Sequence, residues 1–261
     1  IRTNIFFKGC SLNCSWCQNP EGIDGLTRLI YNKKACINCG ICLVTCPQKA
    51  LSFNGERIVI NHHKCIRCGK CSYACPTNAL KLDSSYYTVD ELLEEVLKDK
   101  SFFKNGGGVT VSGGEPLLQA DFIYDFYKKL KDLGIHTAIE TALNVPLDSI
   151  KKVLPLVDQI FFDLKIFDNN DHKSYTGCGN ERILENIAYI LTSEHRDRVV
   201  VRTPMIPGIT TSRENISAIA KHISNLYEDV NYELLNYNPL AESIKKTRIC
   251  IRKKVWKNLG R

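Results

Sequence analysis

Cys10-Ser-Leu-Asn-Cys14-Ser-Trp-Cys17 carries three thiols on a loop directly after the apolar run Ile5-Phe6-Phe7. Three thiolates can hold three irons of a 4Fe-4S cube, and no further Cys follows until Cys36. The fourth iron is then open to a ligand that is not protein. Cubes closed by four cysteines pass electrons at a potential set by charge, hydrogen bonding and exposure. An iron with a vacant site can instead bind a substrate and deliver the electron into it. A structural zinc site or a disulfide pair is the alternative. Zinc prefers four protein ligands in pairs, which this spacing does not supply.

The chain of 261 residues is long enough for one large α/β domain or two modest ones. Its 13 cysteines are grouped in C-x-x-C runs with an odd total, which argues for metal in a reducing cytosol rather than a disulfide framework. No run approaches the roughly 18 apolar residues of a membrane span, and the N-terminus has no signal-peptide pattern. A soluble, cytoplasmic protein is expected. The formal charge of +7 is concentrated in the segment 245–261, which holds eight Lys or Arg and no acid; the remainder is near neutral. Nucleic-acid and membrane partners are therefore not expected, and the tail reads as a solvated end.

An internal repeat follows the first loop. Cys36-Ile-Asn-Cys39-Gly-Ile-Cys42-Leu-Val-Thr-Cys46-Pro47 recurs as Cys65-Ile-Arg-Cys68-Gly-Lys-Cys71-Ser-Tyr-Ala-Cys75-Pro76. This is the pattern of two-cluster bacterial ferredoxins, in which the fourth Cys of each run ligates the other run's cluster. Cys36, Cys39, Cys42 and Cys75 are assigned to one cube, and Cys65, Cys68, Cys71 and Cys46 to the second. A ferredoxin-like insert over 31–82 is expected, held by its metals more than by a large core. A zinc ribbon is the alternative there.

Beyond the insert, Thr88-Val-Asp-Glu91 is a capping box opening a helix through Lys98. Val109–Val111 reads as a strand, and helix and strand then alternate. Asp121–Leu133 is helical with Phe122, Phe126, Leu130 and Leu133 on one face. His136–Glu140 is a strand, Pro146–Leu154 a helix, Gln159–Ile166 a strand, Arg182–Leu191 a helix, Arg198–Thr203 a strand, Glu214–Tyr227 a helix and Tyr232–Leu235 a strand. Together with Ile1–Lys8, six strands interleaved with helices imply a parallel sheet with crossovers. An α/β fold built as a partial (β/α)6 TIM-type barrel over 1–30 and 83–244 fits better than a Rossmann sheet, because no G-x-G-x-x-G follows the first strand. The basic tail is 245–261. In such barrels the chemistry sits at the carboxyl ends of strands. Those ends carry Cys10, then Ser112-Gly113-Gly114-Glu115, Glu140-Thr141, Asp163-Leu164-Lys165, Arg202, and Asn236 to Asn238. Gly113 and Gly114 allow close backbone approach to a ligand.

"IRTNIFFKGCSLNCSWCQNPEG", the ferredoxin-like run and "GGGVTVSGGEPLLQ" together resemble the activating enzymes of glycyl radical enzymes. These are radical S-adenosylmethionine (SAM) proteins related to pyruvate formate-lyase activase, here with a ferredoxin-like domain. The resemblance runs from Ile1 to about Ser243. It implies that SAM chelates the open iron held by Cys10, Cys14 and Cys17, and that Trp16, Cys17 and Gln18 lie against SAM. Gly114 would contact its methionine part, and Gly113 and Glu115 beside it would also belong to the SAM-binding residues. Asp163, Leu164 and Lys165 would hold ribose and carboxylate, Arg202 would be a carboxylate partner, and Asn238 would meet adenosine or ribose. Glu140, Thr141 and Asp163 fall where relatives bind a monovalent cation. Two departures stand out: Asn238 replaces a His of pyruvate formate-lyase activase and cannot titrate, and the basic tail has no counterpart. Relatives carry further residues at both ends, so the ends look clipped.

The implied chemistry is one-electron cleavage of SAM to a 5′-deoxyadenosyl radical, which takes hydrogen from a glycine Cα in a partner glycyl radical enzyme. The two closed cubes would relay electrons from a flavodoxin or ferredoxin donor. The rivals are a radical SAM enzyme modifying another peptide or a small molecule, and a ferredoxin-type carrier without catalysis. Six histidines (His62, His63, His136, His172, His195, His222) show no ligand spacing. Cys178 and Cys250 read as ordinary free thiols. Tyr124, Phe126 and Tyr127 read as core.

Overall fold

The computed structural model describes residues 1–237. Asn238, Cys250 and the basic tail lie outside the described residues. The chain forms two compact units, one of Ile1–Ile23 with the residues from Lys98 on, the other Asp24–Leu97.

In chain order, β1 (Arg2–Phe7) is followed by the elements of the smaller unit: β2 (Leu29–Tyr31), α1 (Ile41–Thr45), β3 (Leu51–Phe53), β4 (Ile58–Ile60), α2 (Lys70–Tyr73), β5 (Leu80–Leu82) and α3 (Val89–Leu97). The larger unit continues with β6 (Gly108–Gly113), α4 (Ala120–Asp132), β7 (His136–Thr141), α5 (Leu147–Val153), β8 (Gln159–Asp163), α6 (Asn169–Thr176), α7 (Glu181–Leu191), β9 (Val199–Pro204), α8 (Arg213–Leu226) and β10 (Asn231–Leu235).

The six-stranded sheet has the order β1-β6-β7-β8-β9-β10, and every neighbouring pair is parallel. Interior strands of a sheet covered by helices are buried on both faces and read as continuous apolar runs. Accordingly Val109, Val111, Ile160, Phe162, Val199 and Val201 are all buried. The register pairs Ser112 with Phe6 and Asp163 with Arg202, so the polar ends line up along one edge.

In the smaller unit the repeat folds upon itself. β2 pairs with β5 and β3 with β4, both antiparallel, so each ribbon takes one strand from each copy. Left-handed residues recur at matched positions, Asn38 with Arg67, Gly40 with Gly69, and Lys49 with Asn78. Its buried core of Leu29, Leu51, Ile58 and Leu80 is small and closes around Cys42 and Cys71. The capping box is formed: Glu91 accepts from the Thr88 N–H at 2.7 Å, and Thr88 Oγ1 accepts from the Glu91 N–H at 3.2 Å.

Several details differ from the sequence reading. The buried stripe of α4 is Ile123, Phe126, Tyr127 and Leu130; Leu133 is 41% exposed and caps the helix instead. Tyr127 belongs to the core because its hydroxyl donates to the Ala138 carbonyl at 2.5 Å. Tyr124 is only half-buried and lies under Lys152. The strand expected over Gln159–Ile166 ends at Asp163, which frees Lys165 to turn back to it. Helix α6 was not expected, since its segment is polar. Its ends are nevertheless well specified: Asp168 accepts from the N–H groups of Asn170 and Asp171, and Gly177 takes the left-handed conformation after the last turn.

Ile123→Ala should lower the stability of the folded chain by about 2–5 kcal/mol, whereas Leu133→Ala should cost less than about 1 kcal/mol. Urea unfolding followed by circular dichroism checks this, and equal losses would contradict the stripe assigned here.

Candidate functional site

Ligands of open α/β sheets bind beyond the carboxyl ends of the strands, and here that edge of the larger unit collects the polar residues. The loop after β1 begins with an interlock of backbones. The Gly114 N–H donates to the Phe7 carbonyl at 2.9 Å, the Glu115 N–H to the Gly9 carbonyl at 2.7 Å, and the Gly9 N–H to the Gly22 carbonyl at 2.8 Å. A Cβ on Gly113 would lie 2.4 Å from the Phe7 oxygen, and one on Gly114 would lie 2.1 Å from the Gly9 oxygen. The close approach these glycines permit is therefore to the root of the cysteine loop, which the sequence reading had assigned to a ligand.

The loop itself is pinned from below. The N–H groups of Asn13 and Ser15 donate to the carbonyls of Thr176 and Tyr175 at the end of α6, at 2.7 and 2.9 Å. Leu12, Cys14 and Trp16 are buried against Ala142, Ile166 and Ile206, with Cys10, Cys17 and Cys178 packed around them. Trp16 points into this core, its ring 6.3 Å from that of Tyr175, while Gln18 is exposed. Burial pushes the Cys10 thiol up to about 11 and the Cys14 thiol up to about 12. The Ser11 and Ser15 hydroxyl oxygens are buried and make no hydrogen bond. Three thiols and two orphaned hydroxyls on one loop fit a bound group that carries positive metal and accepts hydrogen bonds, which a 4Fe-4S cluster does.

Across the strand ends runs a chain of charges. Ser112 Oγ donates to Glu140 Oε2 at 2.6 Å, and Arg202 bridges Glu140 Oε1 at 2.9 Å and Asp163 Oδ1 at 3.2 Å. Lys165 Nζ reaches Asp163 Oδ2 at 2.9 Å. Arg202 also lies over the Phe161 ring at 5.0 Å. Burial opposes the charge on Asp163, Lys165 and Arg202, yet attraction between opposite charges wins. Asp163 is held below the usual carboxylate range by Lys165 and Arg202, while Lys165 is raised, chiefly by Asp163 and then the Cys14 thiol. Asp163 and Glu140 likewise raise Arg202.

Glu115 is fully buried, and its carboxylate is taken up by protein. It accepts from Thr141 Oγ1 at 2.7 Å, the Ala142 N–H at 2.8 Å and the Leu117 N–H at 3.1 Å. Burial nevertheless leaves its pKa raised. The geometry thus brings Glu140 and Asp163 onto one guanidinium and turns Thr141 away to Glu115. Leu164 is buried too, its N–H donating to the Arg202 carbonyl and its own carbonyl accepting from Thr203. Just beyond Thr141, Leu143 takes a left-handed conformation with φ of 59°, a strained choice for a non-glycine residue. Asn186 holds it there, donating to the carbonyls of Leu143 and Val145. Asn144 donates to Cys178 Sγ at 3.4 Å and to the Ser11 carbonyl at 3.5 Å, so Cys178 lies beside the cysteine loop. The role of α6, Asn144 and Cys178 was missed because no local spacing links them to Cys10–Cys17.

Two small cavities lie in the smaller unit. The first is lined by Cys36, Cys39, Cys42 and Cys75, the second by Cys46, Cys65, Cys68 and Cys71. These are the crossed sets expected from the repeat. The crossing thiols are placed alike, since Cys75 Sγ accepts from the Ala79 N–H at 3.2 Å and Cys46 Sγ from the Ala50 N–H at 3.3 Å. Burial pushes Cys71 up to about 11 and also raises Cys42.

Residues 28–76 match the 4Fe-4S dicluster domain, and residues 63–218 match the radical SAM superfamily. The chain belongs to the radical SAM superfamily, among the activating enzymes of glycyl radical enzymes. It is 40% identical over 230 residues to the indoleacetate decarboxylase activating enzyme of Tractidigestivibacter scatoligenes, covering 84% of this chain and 73% of that protein. The 4-hydroxyphenylacetate decarboxylase activating enzyme of Clostridioides difficile is 39% identical over 250 residues, 93% of this chain and 78% of that protein. The (2S)-3-sulfopropanediol dehydratase activating enzyme of Klebsiella oxytoca is 41% identical over 231 residues, covering 86% and 72%. Among solved structures, Streptococcus suis SuiB bound to precursor peptide SuiA aligns with a TM-score of 0.54 over 91% of this chain and 39% of that one. At 13% identity that likeness bears on the fold alone. Membership favours the activase reading over a peptide- or small-molecule-modifying relative and over a simple electron carrier. A radical SAM protein carries a 4Fe-4S cluster and SAM. Among the described residues no helix is long and apolar enough to cross a membrane.

Arg202→Met leaves Glu140 and Asp163 with an uncompensated charge and should cost about 2–4 kcal/mol near neutral pH. Arg202→Lys should recover only part, because one amine cannot bridge both carboxylates. Asp163, depressed in the fold, contributes stability above its unfolded pKa of about 3.9 and loses it as the pH falls through the lower folded value. The Arg202→Met deficit should therefore shrink below about pH 4. Denaturant titrations at pH 7 and pH 3.5 check both points; a deficit unchanged at the lower pH would contradict the bridge.

Proposed function

We propose that this protein installs a glycyl radical on a partner enzyme, with the cluster of Cys10, Cys14 and Cys17 as its SAM site and two further clusters in the insert, three in all. The observation that carries the reading is the single strand edge on which the thiol loop, the glycine strand end and the Asp163–Lys165–Arg202 charges meet. Bound there, the cluster and SAM supply one-electron reductive cleavage of the sulfonium and hydrogen abstraction from a glycine Cα.

The chain's own residues position and shield that chemistry. Lys165, held by Asp163 beside the thiols, offers an ammonium to a carboxylate, and its charge also favours thiolate at Cys10 and Cys14. The Asp163–Arg202–Glu140 bridge fixes the strand ends at which ribose and carboxylate would be held. Glu115 acts through the backbone, tying the end of β7 to the glycine turn. Gly113 and Gly114 set the height of the cysteine loop above the sheet. Gln18, on the exposed side of the loop, is the residue of the Trp16–Gln18 run with access to a bound sulfonium. Arg202 bridges Glu140 and Asp163 in this state, so a monovalent cation at those carboxylates requires the guanidinium to move.

On this reading the six-stranded sheet is a partial (β/α)6 barrel, the smaller unit is a ferredoxin-like insert, and its two crossed cysteine sets relay electrons from a flavodoxin or ferredoxin in a reducing cytoplasm. The partner is a glycyl radical enzyme. Relatives at 37–41% identity are named for partners as different as indoleacetate decarboxylase and isethionate sulfite-lyase. The partner class, rather than its metabolite, is what this chain supports.

The anaerobically reconstituted protein with a low-potential reductant should convert SAM to 5′-deoxyadenosine, and Cys14→Ala should reduce this to background. Added to its partner it should produce the EPR doublet of a glycyl radical. Equal turnover by Cys14→Ala would overturn the SAM-site assignment, and SAM cleavage with no radical on any glycyl radical partner would overturn the activase reading.

A further inference from the structure

The two crossed cysteine cavities are built from a repeat, so a difference between them stands out. In one copy the residues before the first ligand are Tyr31-Asn32-Lys33-Lys34-Ala35-Cys36; in the other they are Ile60-Asn61-His62-His63-Lys64-Cys65. The asparagines make the same turn, Asn32 accepting from the Lys34 N–H and Asn61 from the His63 N–H. The tyrosine has no equivalent, since Ile60 stands at its position. Tyr31 lines the cavity of Cys36, Cys39, Cys42 and Cys75, and its ring packs on the small core. Its hydroxyl oxygen is buried and makes no hydrogen bond, although the Cys36 thiol and the Ile58 backbone both lie within its reach. A buried hydroxyl left unpaired is costly, and in native proteins such a group usually has a partner. The polar side chains lining the other cavity are those of Gln48 and Arg67, with no phenol among them.

We propose that Tyr31 donates a hydrogen bond to the cluster, or to the Cys36 thiolate holding it, in the Cys36–Cys39–Cys42–Cys75 site, and so raises that cluster's reduction potential. The proposal rests on the two-cluster reading of the smaller unit. A donor aimed at cluster or cysteinyl sulfur stabilises the more negative, reduced state more than the oxidised one. Tyr31 keeps its proton throughout: one electron enters the cluster, and no proton is transferred. The two auxiliary clusters are then inequivalent, and Tyr31 is a tuning residue of the electron path rather than a catalytic one.

The test is a reductive EPR titration of the anaerobically reconstituted holoenzyme, with SAM added to move the signal of the open cluster away from the auxiliary pair. Tyr31→Phe should lower one auxiliary potential by about 59 mV, tenfold in a one-electron equilibrium, and leave the other in place. Unmoved potentials at full iron loading would overturn the proposal while leaving the two-cluster reading intact. Wild-type iron near four per chain, one cluster's worth, would overturn the two-cluster reading and the proposal with it. In wild-type protein exchanged into D2O, pulsed EPR should find on one auxiliary cluster a strongly coupled deuteron beyond the amide deuterons both clusters share. Matched couplings on the two would count against Tyr31 even if the variant failed to load iron.

Discussion

The larger unit depends on a contact between two backbones that leaves no room for a side chain. Gly113 and Gly114 at the end of β6 lie against Phe7 and Gly9 at the end of β1, closer than any Cβ could permit. Two backbone hydrogen bonds close the contact, from Gly114 to Phe7 and from Glu115 to Gly9, and a third ties Gly9 to Gly22. The cysteine loop therefore leaves the sheet at a fixed height and direction, directly beside the strand ends that carry Ser112, Glu140, Asp163 and Arg202. Loop composition alone could not do this, since a free loop pays conformational entropy for each fixed residue. The second anchor, from the end of α6 to Asn13 and Ser15, holds the loop from the opposite side.

Electrostatics follow from that placement. A parallel sheet gathers its strand ends on one edge, and here the ends are charged and partly withdrawn from water. Each ion would be unfavourable there alone, but Arg202 and Lys165 alternate with Glu140 and Asp163, so the edge remains ionised. The thiols of half-buried Cys10 and buried Cys14 are protonated until something positive compensates them. Lys165 lies close enough to contribute, and bound metal would contribute far more, because a coordinating thiol is deprotonated outright. On the reading proposed above, the site would take up a group that is metallic on one side and carries a carboxylate on the other.

What the sequence revealed and what it hid divide along the range of the interactions. Metal-ligand spacing is local, and the repeat of four-cysteine runs placed the crossed sets that line the two cavities. Strand order was legible because each strand pairs with the next of the larger sheet. The stripe of α4 was misread because Phe122 and Leu133 fit the helical spacing of Phe126 and Leu130 as well as Ile123 does, whereas burial was decided by the packing of α4 on β7. Helix α6 has little apolar periodicity and is specified by Asp168 and Gly177 at its ends. The partners of Glu115, the strain at Leu143 and the approach of Cys178 to the cysteine loop arise from residues far apart in the chain, and no motif announces them.

The central claim is that SAM binds directly to one iron of the cluster held by Cys10, Cys14 and Cys17. Electron-nuclear double resonance of the reduced holoenzyme with SAM labelled with 15N in its amino group and 17O in its carboxylate tests this most directly. The account predicts that both labels couple strongly to the cluster signal. Couplings absent from both labels, with SAM bound, would show that SAM does not ligate an iron of this cluster and would contradict the account.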